Sequence, residues 1–273
     1  MLIGILSVQL GSALATTVFD ELGPGGAVWL RTVFAAVVLA ALWRPARETL
    51  RGATLRDILV FGFVLAAMNS CFYIALDRLP LGIAVTLEFT GPLAVAVAQS
   101  KRRSDLLWAG MAFGGIVLLA PSFGNGLDPV GVLFALLAGA MWAAYLLVST
   151  RVGRGPAGRG GLSAAMIFGS VLLLPVGLIQ GGSDLADPHL LLIGFFVAML
   201  SSAIPYVAEL EALRRLSAGT VGVLLSLEPA AAALIGFIAL DQDLPLREIV
   251  AIVLVVAASF GALRNAEPAP VAA

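Results

Sequence analysis

Charge is what this sequence lacks most. Only 12% of its 273 residues are Asp, Glu, Lys or Arg, whereas 60% are apolar and the mean hydropathy is +1.02. A soluble domain carries about 25% charged residues and is about 45–50% apolar. Hydrophobicity this high leaves the surface apolar as well as the core, which excludes a water-soluble globule. Cys71 stands alone, so an intramolecular disulfide and a multi-cysteine metal site are excluded. His189 is the only histidine, which argues against histidine-based zinc sites and proton relays. Aromatic residues make up 8% of the chain, fewer than a cavity for aromatic or cationic drugs calls for. There is no Gly-rich phosphate loop, nucleophile elbow or Walker motif, so the chain carries no ATPase of its own. No enzyme activity, cofactor, metal or nucleic-acid partner is expected. The first apolar segment starts almost at Met1 without a basic region before it, so no cleavable signal is expected either.

What the chain has in abundance is long apolar runs. They cover approximately 2–19, 27–43, 58–76, 81–99, 105–121, 129–149, 161–180, 189–212, 217–239 and 246–263. Breakers separate them, among them Gly23-Pro24-Gly25-Gly26, Pro80, Asn125-Gly126 and Asp241 to Pro245. A bilayer-spanning helix needs roughly 20 apolar residues, and barrel strands are about half as long with alternating polarity. The expected fold is therefore an all-α integral membrane protein of ten transmembrane helices, with membrane lipid as its surroundings.

The few charges orient the array. With the N-terminus in the cytoplasm, the cytoplasmic loops receive Arg44, Arg47, Arg51 and Arg56; Lys101, Arg102 and Arg103; Arg151, Arg154 and Arg159; Arg214 and Arg215; and Arg264. That is 13 of the 16 basic residues. The opposite side keeps Arg31, Arg78 and Arg247 beside a mostly acidic set that includes Asp20, Glu21, Asp128, Asp184, Asp187, Asp241 and Asp243. This satisfies the positive-inside rule and places both termini in the cytoplasm.

A repeat underlies the pattern. Ala75-Leu76-Asp77-Arg78-Leu79 returns 137 residues later as Ala212-Leu213-Arg214-Arg215-Leu216, and at that offset Gly82 meets Gly219 and Pro92 meets Pro229. Two five-helix halves, 1–121 and 122–273, follow as one membrane unit. Because five is odd, the second half enters from the opposite side, an inverted repeat of the kind secondary transporters use.

Polar residues at membrane depth are the candidate site. A carboxylate at a helix centre costs about 2.5–3.5 kcal/mol on insertion scales, so it faces the bundle interior or a wet cavity. Glu88 lies in Thr86-Leu87-Glu88-Phe89-Thr90-Gly91-Pro92, and Glu228 in Ser226-Leu227-Glu228-Pro229. Pro92 deprives the Glu88 carbonyl of its helical partner and Pro229 does so for Leu225, predicting kinks with carbonyls available to a ligand. Each acid can contact a substrate ammonium group or carry a coupling proton; each can also be a packing element. Glu209 follows Pro205 by one turn, whereas Glu211 is spaced to pair with Arg214 or Arg215. Gln9, Asn69, Trp142 and Tyr145 form a second tier, each able to line a cavity or simply to pack. Arg31 reads as a snorkelling anchor near the outer end of the second helix.

These residues carry a resemblance. Ser7-Val8-Gln9-Leu10-Gly11, the stretch Leu79 to Pro92 (LPLGIAVTLEFTGP), Gly139-Ala140-Met141-Trp142-Ala143, Ile204-Pro205-Tyr206 and Leu225 to Pro229 (LSLEP) resemble the drug/metabolite transporter superfamily, in the branch with paired EamA repeats. Within it the likeness is strongest to the bacterial exporters of threonine and homoserine. The resemblance implies a ten-helix basket in the bacterial inner membrane that exports small hydrophilic amino acids in exchange for protons. It implies functional positions at Glu88, Pro92, Glu209, Glu228 and Pro229, and none at Glu211. The short cytoplasmic N-terminal tail usual in the family is nearly missing here. The alternative cargo is another metabolite or a drug; a lipid-acting enzyme or a non-transporting scaffold fits less well. The sequence does not set the oligomeric state, and a monomer is sufficient.

Overall fold

The computed structural model describes residues 1–45, 52–99, 104–119, 127–154, 158–208 and 225–264. Their regular structure is entirely helical. In chain order the helices are α1 (Leu2–Thr16), α2 (Phe19–Leu42), α3 (Gly52–Leu76), α4 (Leu81–Glu88), α5 (Thr90–Gln99), α6 (Ser104–Leu119), α7 (Pro129–Arg154), α8 (Gly158–Gly181), α9 (Pro188–Ala198), α10 (Glu228–Ala239) and α11 (Leu246–Arg264). A 3₁₀ turn, Gly182–Ala186, joins α8 to α9; a π turn, Met199–Ala203, carries α9 on to Ala208.

Five stretches among the described residues are long and apolar enough to cross a bilayer: Phe19–Leu42, Thr54–Leu76, Pro129–Ser149, Gly160–Ala186 and Pro188–Ala208. Leu2–Thr16, Leu81–Val95 and Glu228–Ala239 are apolar but shorter. Large apolar side chains such as Ile3, Phe63, Ile179 and Phe237 stand exposed on the outside. In water such a surface drives aggregation; facing lipid tails it costs nothing. The chain is a multi-pass membrane protein.

The second helix begins earlier than the apolar pattern indicates. Gly23-Pro24-Gly25-Gly26 does not part the first two spans; Thr17 and Val18 do, and α2 already runs from Phe19. Gly23 supplies the break inside α2 by taking φ 63° and ψ 164°, a conformation that a side chain would strain. Pro24 then restarts the helix, its missing N–H belonging to a first turn where no partner is needed. The Gln180 side chain of α8 accepts from the Gly25 N–H at 2.7 Å and ties the restarted turn to its neighbour.

Small residues set the helix crossings. A Cβ on Gly91 of α5 would collide with the carbonyl oxygen of Gly139 in α7, so the two backbones touch directly. Gly82 of α4 meets Ala233 of α10 with similar closeness, a Cβ there lying 2.7 Å from the Ala233 Cα. With little hydrophobic drive between helices in lipid, such backbone approach supplies the dispersion contact that holds them. The packing that results sets α2 on α8, α3 on α7 and α8, α4 on α7 and α10, α1 on α10 and the π turn, α9 on α2, and α6 on α11.

Among the described residues one ion pair joins the turn after α3 to the start of α7, at one end of the bundle. Arg78 Nη1 donates to Asp128 Oδ2 at 2.9 Å, while Asp128 Oδ1 caps α7 by accepting from the Val130 N–H at 2.8 Å. The Arg78 guanidinium, and then the Val130 N–H, hold the Asp128 carboxyl below the usual carboxylate range. A lowered folded-state value stabilises the fold above the unfolded pKa of about 3.9 and ceases to do so as pH falls through the folded value. On acidification below about pH 4, wild type should therefore lose melting temperature faster than Asp128→Asn, which keeps a capping oxygen. The difference should be small, since the pair is solvent-exposed and screened. Parallel acid melting curves for the two proteins would remove the assignment.

Candidate functional site

The buried polar residues gather where broken helices meet. A cavity of about 100 Å³ there is lined by Glu88 and Glu228, by Gln9, Asn69, Trp142 and Tyr145, and by Pro205. Each was expected at a site from the sequence alone, and the fold brings them together from α1, α3, α4, α7, the extension of α9 and the start of α10. Glu209, the remaining candidate acid, lies outside the described residues. So do Glu211, Arg214, Arg215 and the basic cluster Lys101-Arg102-Arg103. Pro92 and Pro229 adjoin the cavity's acids without lining it.

Glu88 is the last residue of α4 and only 9% exposed. The helix breaks at Phe89 and resumes at Thr90, which is the kink that Pro92 predicts. The carbonyl that Pro92 sets free is not offered to the cavity, however. It faces Gly139 of α7, where a Cβ would stand 2.5 Å from it. The freed oxygen therefore helps the two helices cross, contrary to the expectation of a ligand contact, because a glycine opposite lets the backbone close over it. The Phe89 ring meets Trp142 edge-on, with centroids 5.5 Å apart, so Trp142 both packs and lines the cavity. Tyr145 stacks on Phe61 at 5.5 Å.

Glu228 opens α10, with Pro229 at the first helical turn and buried. A turn at Ser226 and Leu227 precedes it, so this helix also breaks beside its acid. The acid is half-buried and on the cavity wall.

Pro205 has a larger effect than its neighbours suggest. It has no N–H to give to the carbonyls four and five residues before it, Ser201 and Leu200. The chain responds with the π turn, in which the Ile204 N–H bonds to the Met199 carbonyl. Side chains from other helices take up the two orphaned oxygens. Ser7 Oγ of α1 donates to the Leu200 carbonyl at 2.7 Å, and Arg31 Nη2 of α2 donates to the Ser201 carbonyl at 2.9 Å. Gly11 makes the approach of α1 possible, since a Cβ there would overlap Ser201 Oγ.

Arg31 is the correction that matters most. It is not a snorkelling anchor: it is 5% exposed, lines the cavity, and also donates through Nε to Ser202 Oγ at 2.9 Å. Its guanidinium sits 5.4 Å from the centroid of the Tyr73 ring. The misplacement follows from the start of α2. Counted from residue 27, Arg31 is near an end; counted from Phe19, it is mid-helix. The signal was present as a basic residue within a long apolar run, and the glycine-proline cluster disguised it.

Around these charges stand neutral polar groups. Asn69 Nδ2 donates to the Leu65 carbonyl of its own helix at 2.7 Å, and the residue lines the cavity. Gln9 Oε1 and Ser201 Oγ are buried without a hydrogen-bond partner among the described residues. Buried polar atoms rarely stay unmatched unless something else completes them. Ser12 and Tyr206, neither of them assigned to a site from the sequence, also line the cavity. The wall thus offers a fixed cation, two acids, two amides and several hydroxyls in a small space.

A helical membrane bundle whose discontinuous helices converge on a charged internal cavity is the plan of a secondary transporter. The model of the EamA-like transporter family matches residues 129–264. Similarity to relatives runs over nearly the whole chain. It is 40% identical over 268 residues to the threonine/homoserine exporter RhtA of Salmonella typhimurium (strain LT2), covering 96% of this chain and 89% of that one. It is 39% identical over 267 residues to the exporter of the same name from Escherichia coli (strain K12), with the same coverage of 96% and 89%. The chain belongs to the EamA-like transporter family. Its relatives are transporters rather than enzymes, including an uncharacterized transporter of Clostridium kluyveri that is 22% identical over 180 residues. One solved crystal structure superposes with a TM-score of 0.67 over 97% of this chain and 95% of its own, at 21% identity, a likeness of fold.

Proposed function

We propose that this protein exports small hydrophilic amino acids, threonine and homoserine first among them, across the bacterial inner membrane by proton-linked alternating access. The observation that carries the reading is the convergence of Glu88, Glu228 and Arg31 on one cavity between broken helices. Its volume of about 100 Å³ favours a small polar solute over a drug, since drug-sized sites span roughly 300–1,000 Å³. Identity of 40% to a threonine/homoserine exporter supports the same class of cargo. One chain supplies the whole described wall, so a monomer suffices.

Alternating access needs two bundles that rock about the site, and the packing supports two inverted halves, 1–121 and 122–273. Exchanging the halves sends α1 to α7, α2 to α8, α3 to α9, the broken pair α4 and α5 to α10 with the segment before it, and α6 to α11. Under that exchange α3 on α7 becomes α9 on α1, and α3 on α8 becomes α9 on α2. The contact of α5 with α7 becomes that of α10 with α1, while α2 on α8 and α6 on α11 map onto themselves. Every one of these contacts is present when the π turn is taken with α9. Ten crossings in two such halves return both termini to the cytoplasm, the side that the basic loops favour.

In this mechanism Glu88 and Glu228 receive the substrate ammonium from the cytoplasm and a proton from outside, so that each entry displaces the other. One charge moved across 100 mV is worth about 2.3 kcal/mol, to which a pH gradient adds. Counterflow in proteoliposomes tests the proposal. Vesicles loaded with unlabelled threonine or homoserine should accumulate labelled threonine from outside, and faster with a pH gradient; protein-free vesicles should not. Folded protein that shows no counterflow with either amino acid removes the cargo, and panels of nucleobases and cationic drugs then decide the alternative.

A further inference from the structure

We propose that Arg31 is the carboxylate-binding residue of the cavity, which makes the protein selective for compounds that carry both a free carboxylate and an ammonium group. The inference rests on the amino-acid reading above and adds to it the part of the substrate that Arg31 recognises.

A guanidinium stays charged at any physiological pH, and burying one at membrane depth demands a compensating anion or a wet, polar cavity. Arg31 is 5% exposed and held by Ser202 Oγ and the Ser201 carbonyl, both neutral. Among the described residues no carboxylate lies within salt-bridge distance of it, the ion pair found there being Arg78 with Asp128. The two bonds it makes use the Nε and Nη2 side of the fork, while the end formed by Nη1 and Nη2 is the edge on which a carboxylate docks with two parallel bonds. The Tyr73 ring, 5.4 Å from the guanidinium, steadies the plane of that fork.

The anchoring is as informative as the charge. Ser201 and Ser202 belong to the π turn that Pro205 creates, and the Ser201 carbonyl is one of the oxygens that Pro205 orphans. Arg31 is therefore tied to the π turn that extends α9, on the wall of the cavity that also holds Glu88 and Glu228. A zwitterion placed there meets the cation with its carboxylate and the acids with its ammonium. The unpartnered Gln9 Oε1 and Ser201 Oγ are left to meet the side-chain hydroxyl. A monopolar amine satisfies only half of this arrangement.

Competition in the counterflow assay tests the assignment. Labelled L-threonine is challenged with unlabelled L-threonine, L-threonine amide and L-threoninol, the last two keeping the ammonium and hydroxyl without a carboxylate. In wild type the amide and the amino alcohol should need roughly 30-fold higher concentrations to compete, as loss of a charged hydrogen-bond pair implies. In Arg31→Gln threonine should weaken until the gap falls below about threefold, because the variant no longer distinguishes the head groups. Arg31→Lys keeps the charge without the fork and should fall between the two. Equal competition by threonine and threoninol in wild type overturns the assignment even if no variant folds. A full gap retained in Arg31→Gln also overturns it, leaving Arg31 as a lock between α2 and α9. Absence of any threonine counterflow in folded wild type is the separate failure of the amino-acid reading, and this inference falls with it.

Discussion

Glu88→Gln should reduce threonine counterflow by roughly 30-fold or more, the scale on which removing one partner from a buried charged contact acts. The substitution keeps the size and hydrogen-bonding reach of the side chain and removes only its charge. Two consequences follow from the geometry. The substrate ammonium loses an acid on the cavity wall, and Arg31 loses one of the two acids that share its enclosure. Glu228→Gln should be weaker on its own, since Glu228 is half-buried at a helix start whereas Glu88 is 9% exposed. The pH gradient supplies the second readout. If Glu88 carries the coupling proton, residual counterflow in Glu88→Gln should no longer rise with the gradient. Folding is checked by the melting temperature in detergent and by the elution profile. A folded Glu88→Gln protein with wild-type counterflow and wild-type pH response would falsify the role given to this acid.

The second large effect is on stability. Gly91→Val should cost about 3 kcal/mol or more, at or beyond the upper end of ordinary overpacking, because the obstacle is backbone rather than a side chain that can rotate. The added Cβ falls on the Gly139 carbonyl, and the same crossing holds the Glu88 carbonyl against Gly139 from the other side. Neither helix can yield without moving Glu88, so lost thermal stability and lost counterflow should appear together. Gly110→Ala in α6 is the control, since a Cβ there has nothing within 4 Å. It should leave the melting temperature unchanged or slightly raised, by the helix propensity difference of up to about 1 kcal/mol. Equal melting temperatures for Gly91→Val and wild type would mean that the crossing is looser than it stands here.

Part of this architecture is legible in the sequence, for identifiable reasons. Apolar runs near the length of a bilayer crossing, the scarcity of charge and the proline beside each central acid are local properties, and they survive into the structure as helices, exposed apolar faces and breaks at Phe89 and before Glu228. Helix starts are less legible. The Gly23 to Gly26 cluster looks like a loop because glycine and proline usually end helices. Here one left-handed residue and one first-turn proline let α2 continue. That single error displaced Arg31 by about two turns and hid the cation that the described residues place on the cavity wall.

By itself, then, the sequence determined the solvent of this protein, its helical class and the polar residues too costly to waste at membrane depth. Those depend on composition and on spacings of a few residues. Tertiary structure alone decided which of them meet. Arg31 and Ser202 are 171 positions apart, Ser7 and Leu200 are 193 apart, and each bond exists only because α1 and α2 pack against a π turn. The helical period states which residues share a face, but not which helix comes to lie opposite. That choice rests on backbone-to-backbone crossings at Gly11, Gly82 and Gly91, where removing a side chain leaves room for one particular neighbour.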